Sequence, residues 1–364
     1  MRKTGYLLTA ILWLSAPSAH AATISDDGKL VAYVTWDQSG LQILNVEEGE
    51  RHSPELKIKT GSAPFSVEQL AKQGQAILAI KVDPSRLAMD TAFLPSSHTL
   101  CLLEASRLVL LDGDERRIIR SVPFSVPTAG ANLAVSPSAE QVTFTEGNQR
   151  AHTIDLNTGK VLHILQGVSS NNTGGVIQYD SSGRWIATLT KGKDAVKVWD
   201  AASGALAKTL RPPIQTAVWK WKGTKETIPV TSFAWMPAST QIVVVRPPDL
   251  LIYEAATGKL LKSIPVGLTD QEGYYRRPWA PYYVAASPDG QRIALAGWSK
   301  KITVWDVGTG KSIKTVELPM ESPIVQFLQD GKRILCYTSS GHGRLALVDI
   351  DSGAVLYQTP RDPP

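Results

Sequence analysis

Cysteine is scarce in this chain, with two residues in 364, Cys101 and Cys336. A disulfide-stapled scaffold and a cysteine-rich metal site are thereby excluded. Histidine is also rare. The five beyond residue 21 (His52, His98, His152, His163 and His342) are scattered without the spacing of metal ligands. No G-x-S-x-G elbow, H-E-x-x-H pair or glycine-rich phosphate loop is present. Asp26-Asp27-Gly28 lacks the later carboxylates of a calcium loop and reads as a turn. No catalytic residue, metal or cofactor is indicated.

Long apolar runs are missing as well. Tyr6 to Leu14 is about nine residues, whereas a bilayer span takes roughly twenty. That run follows Arg2 and Lys3 and precedes Ala19-His20-Ala21, an A-x-A cleavage pattern. Residues 1–21 are therefore expected to be a secretory signal peptide, which predicts a periplasmic or secreted protein with no membrane span after cleavage. Charge of one sign is not in large excess: 38 Lys and Arg stand against 33 Asp and Glu, a formal +5. Loss of Arg2 and Lys3 leaves 36 against 33, too mild to point to nucleic acid.

What the chain has in abundance is one pattern, clearest from Ser287 to Val316. Ser287-Pro288-Asp289-Gly290 is a turn, because Pro presets its φ, Asp bonds its own backbone and Gly accepts positive φ. Ile293 to Ala296 and Ile302 to Val307 have strand length and β-branched content. Gly308-Thr309-Gly310 turns the chain into Ser312 to Val316, and Tyr283 to Ala286 supplies a strand in front. Seven decaying copies, at about forty residues each, run from Ala22 to Thr359. A twisted four-stranded sheet has two apolar faces and cannot bury both alone; packing sheets around an axis does so. The expectation is an all-β fold, a seven-bladed β-propeller of four-stranded antiparallel blades over 22–364, with an insertion at 60–86. In that insertion Ser66 to Gln73 predicts a short capped helix and Ala76 to Val82 an extra strand.

Val198-Trp199-Asp200 and Val304-Trp305-Asp306 end third strands. Asp-x-x-x-Gly turns follow at Asp155, Asp200, Asp306 and Asp349, with Gly159, Gly204, Gly310 and Gly353. On these residues the chain resembles bacterial exported WD40/YVTN-type propeller repeat proteins. It departs from eukaryotic WD40 repeats in lacking a Gly-His pair ahead of each core, so their buried His–Asp–Ser network does not carry over. Superposing Phe93–Leu103 on Phe327–Tyr337 places Cys101 one residue from the position of Cys336, on the opposite face of a strand. Both are therefore expected to be buried free thiols.

Irregular length gathers on one face of such a ring, where blade-to-blade links and second-to-third-strand turns lie. Around the fifth and sixth repeats these segments carry Trp219, Trp221, Lys222, Arg246, Tyr274, Tyr275, Arg276, Arg277, Trp279, Trp298 and Lys300. Rings give stiff contact area, and neighbouring cations bind anions or stack on rings. The sequence thus predicts a binding or assembly module for an acidic protein or a glycan. The alternative follows from resemblance to periplasmic quinoprotein-associated propellers and propeller lactonases. It implies a central opening that serves an oxidoreductase or hydrolase.

Overall fold

The computed structural model describes residues 22–25, 27, 29–34, 41–45, 90–104, 106–115, 117–126, 132–146, 149–169, 177–190, 192–219, 224–267, 283–297, 300–318, 323–338 and 345–358. The expected signal peptide and the 60–86 insertion, with its helix and extra strand, lie outside these.

Every described element is a β-strand. The second repeat forms β4 (Asp90–Phe93), β5 (Thr99–Leu103), β6 (Arg107–Asp112) and β7 (Arg117–Pro123). The third forms β8 (Leu133–Val135), β9 (Gln141–Glu146), β10 (Arg150–Asp155) and β11 (Val161–Gln166). The fourth forms β12 (Ile177–Tyr179), β13 (Trp185–Leu189), β14 (Val196–Asp200) and β15 (Leu206–Leu210). A separate two-stranded ribbon follows, β16 (Thr216–Trp219) with β17 (Thr224–Thr227). The fifth repeat forms β18 (Ser232–Trp235), β19 (Gln241–Arg246), β20 (Asp249–Glu254) and β21 (Leu260–Pro265). The sixth forms β22 (Tyr283–Ala286), β23 (Arg292–Ala296), β24 (Lys301–Asp306) and β25 (Ser312–Glu317). The seventh forms β26 (Pro323–Phe327), β27 (Arg333–Thr338), β28 (Leu345–Asp349) and β29 (Val355–Gln358).

This corrects the expected blade count: among the described residues six four-stranded antiparallel blades are present, not seven. The first repeat gives a three-stranded sheet, β1 (Ala22–Ile24), β2 (Leu30–Val34) and β3 (Leu41–Asn45). In the six blades an acid ends the third strand, Asp112, Asp155, Asp200, Glu254, Asp306 or Asp349, and the five aspartates cap the turn to the fourth with their side chains. The first repeat has Asn45 there, and its expected fourth-strand segment, Pro54 to Lys59, lies outside the described residues. Each sheet is one contiguous stretch of chain with its strands in sequence order. Ile24 and Val31 of the three-stranded sheet pack against Leu328, Leu335, Leu345 and Leu347 of the last repeat, so face packing joins the two ends.

The turns explain why the acid recurs. Asp306 accepts from the Thr309 amide at 2.6 Å and from its hydroxyl at 2.7 Å, while Gly310 N donates to Asp306 O at 2.9 Å. The register shifts beside Trp305, between Val304 and Trp305, and the same bulge recurs in the other five hairpins. Gly204 shows why the turn needs glycine. Its φ is +69°, and an added Cβ would fall 2.7 Å from the His163 side chain of the preceding blade.

That contact belongs to a series. Counting eight residues on from the acids of the second to sixth repeats gives Arg120, His163, Lys208, Lys262 and Lys314, all on fourth strands. Arg120 donates to Leu156 O at 3.2 Å and Asn157 Oδ1 at 3.0 Å, and Lys314 donates to Asp351 O at 3.1 Å. Outer strands thus grip the turn of the next blade. Between blades lie the apolar faces: Phe144 and Phe233 are fully buried, and each such side chain contributes about 2–3 kcal/mol. Trp199 donates its indole N–H to Thr188 Oγ1 at 2.9 Å, whereas Trp305 meets Leu295 at the matching place and its Nε1 has no partner among the described residues.

Cys101 and Cys336 are both buried and free, and burial pushes the Cys101 thiol up to about 12.

Candidate functional site

Two places combine access with unusual side chains: the segment between the fourth and fifth repeats, and the axis of the ring.

The first was read from sequence as an irregular loop. It is an ordered ribbon on a braced stem. Arg246, at the end of β19, is buried, with Nε donating to Ile228 O and Nη1 to Pro212 O, both at 2.8 Å. One guanidinium therefore ties both legs of the ribbon to the blade, which suits its planar fork. Further bonds run from Val230 N to Lys193 O at 2.6 Å, Ile228 N to Gln215 O at 2.9 Å and Gln215 Nε2 to Asp249 Oδ2 at 3.4 Å. Above this stem Ile214 is 76% exposed and Val218 is 55% exposed. Such large exposed apolar groups on a rigid base offer contact area at little ordering cost.

The anticipated binding residues divide as follows. Arg246 is spent on bracing. Trp219 ends β16 and pairs with Thr224 across the ribbon. Lys300 is exposed, immediately before β24. Trp221, Lys222, Tyr274, Tyr275, Arg276, Arg277, Trp279 and Trp298 lie outside the described residues.

The second place entered the sequence reading only as the central opening of the alternative function, with no residue assigned to it. First strands of the blades surround a cavity of about 840 Å³. Its lining includes Asp90, Thr91, Asn132, Tyr179, Trp235, Tyr283, Phe327 and Tyr337. Asp90 accepts from Leu133 N at 2.7 Å and Thr91 N at 2.8 Å, linking two inner strands. Burial, opposed by those two bonds, raises its pKa to about 7. Gln178 by contrast uses both ends of its amide, donating to Phe233 O and accepting from Trp235 N. No hydropathy signal marks this cluster, because its members come from separate repeats and each sits in an ordinary inner strand. Asp90 opening an otherwise plain strand was the one visible oddity.

Among the described residues no group of three His, Cys, Asp or Glu is placed to hold a metal ion, and no helix is long and apolar enough to cross a membrane.

No protein-family model and no curated protein matches the chain. Among solved structures it is similar to a chain of the crystal structure of the mitotic checkpoint complex, with a TM-score of 0.64 over 92% of this chain and 90% of that one. Identity is 14%, so the likeness is one of fold: a WD-repeat-like β-propeller.

Proposed function

We propose that the chain is an exported propeller that works as a binding or assembly module, docking an acidic protein or a glycan on the face around the fifth and sixth repeats. The observation that carries this reading is the ribbon. Arg246 bonds both legs of a two-stranded element to the blade, and Ile214 and Val218 on that element and its approach are exposed. Trp219, Trp221, Lys222, Tyr274, Tyr275, Arg276, Arg277, Trp279, Trp298 and Lys300 supply the rings and cations that such a face uses. The structural neighbour comes from a multiprotein complex, which agrees with a propeller serving as a docking platform.

Affinity capture with mature protein from the compartment in which it resides tests this, run beside Val218→Glu and Trp279→Ala. A recurring partner that is lost with either variant, at unchanged melting temperature, supports the module. A partner retained by both variants overturns the assigned face. Export is tested separately, by N-terminal sequencing of the protein made in its host: a mature start at Ala22 is expected.

A further inference from the structure

We propose that the central cavity binds a small amine, its ammonium group paired with Asp90. The lining contains two carboxylates, Asp90 and Asp180, and no Lys, Arg or His among the described residues. In a chain of net positive charge that is a local inversion, and it favours cations over anions.

The two acids are not equivalent. Asp180 is buried and occupied by Trp185 N at 2.7 Å and by Ser182. Asp90 is half-buried in the cavity wall and uses two of its roughly four acceptor positions. No cationic side chain among the described residues offsets its charge. The groups facing it are Cys101 on β5 and Tyr337 on β27, both kept neutral by burial. A carboxylate so placed gains most from a charge brought in by a ligand.

Thr91 Oγ1 and Asn132 Nδ2 also lack partners among the described residues, but both atoms are closed off from the cavity space and make no demand on a ligand. The remaining wall offers Tyr179, Trp235, Tyr283, Phe327 and Tyr337, rings that suit a cation or an aromatic tail. At about 840 Å³ the space falls within the usual range for small ligands.

The test is calorimetric titration of the whole protein with N-benzylethanolamine and with its uncharged N-acetyl counterpart. Saturable one-site binding of the amine is expected at about pH 8, weakening tenfold or more at about pH 5 as Asp90 takes up its proton. The N-acetyl compound and the Asp90→Asn variant are each expected to bind at least tenfold more weakly. Should that variant fail to fold, the pH and N-acetyl comparisons on the unaltered protein decide. The proposal is overturned if no saturable binding occurs below about 10 mM, if both compounds bind equally, or if affinity is the same at both pH values.

Discussion

The ammonium of Lys262, on the outer strand of one blade, donates to the carbonyl oxygens of Val307 and Gly308 in the hairpin of the next, at 2.6 and 2.5 Å. Replacing it with methionine keeps the stem and removes both bonds. The expected loss is about 1 kcal/mol, because the group is partly solvated. Thermal unfolding should show a fall of about 2 °C. Lys208→Met and Lys314→Met act at other interfaces, so their effects should add to it within a few tenths of a kcal/mol.

Ala139 sits at φ +57°, in the turn position where other repeats have Gly183, Gly290 and Gly331. A side chain there costs about 1–2 kcal/mol, and glycine gives part of that back as backbone entropy. Ala139→Gly is expected to stabilise the protein by about 0.5–1 kcal/mol, measured by denaturant midpoint at unchanged slope.

His98 lies between Asp114, 2.8 Å from Nδ1, and Asp27, 3.0 Å from Nε2, and so bridges the three-stranded sheet and its neighbour. Burial opposes its proton, but hydrogen bonds to Asp114 and Asp27 outweigh this and hold its pKa above the ordinary 6.5. Asp27 is shifted the other way. Burial raises it, yet bonds from Ser25, Lys29 and His98 bring it to about 2. The His98 contribution is complete below about 6.5 and is lost as pH rises through the elevated value; that of Asp27 is present above about 3.8 and is lost as pH falls towards 2. The seam should therefore be firmest between about pH 4 and 6.5. In His98→Gln the fall in melting temperature on the alkaline side should be smaller than in the unaltered protein.

Arg246→Met leaves the Ile228 and Pro212 carbonyls without their donors. The expected cost is about 2–3 kcal/mol locally. Hydrogen exchange at the amides of 216–219 and 224–227 should quicken, while the blade strands on either side change little. Arg246→Lys is expected to behave more like methionine than arginine, because one ammonium cannot reach both legs in the same geometry.

How far the sequence revealed these features depends on how locally each is encoded. Trp199-Asp200 and Trp305-Asp306 with their glycines were legible because the capping acid and the positive-φ residue fall within one turn. The blade count was less secure, since a forty-residue period registers a repeat whether or not its fourth strand pairs. Asn45 in place of the capping acid was the available warning. Arg246 was misleading for a physical reason: an arginine at a strand end beside Pro247-Pro248 looks solvated, and only the return of Pro212 and Ile228 beneath it shows otherwise. The Lys208, Lys262 and Lys314 spacing was in plain view, but cation periodicity is invisible to a search by hydropathy. Asp90 is harder still, because its meaning depends on Leu133 and Tyr337, which only ring closure brings near.

The grip between neighbours has a direction. From the second repeat to the sixth each blade extends a side chain forward, and from the third to the seventh each offers a turn backward, so those in between are at once a hand and a handhold. Within that run one whole unit removed or duplicated would still find a turn to hold, and the number of members becomes a variable that can change by integers without rewriting any of them.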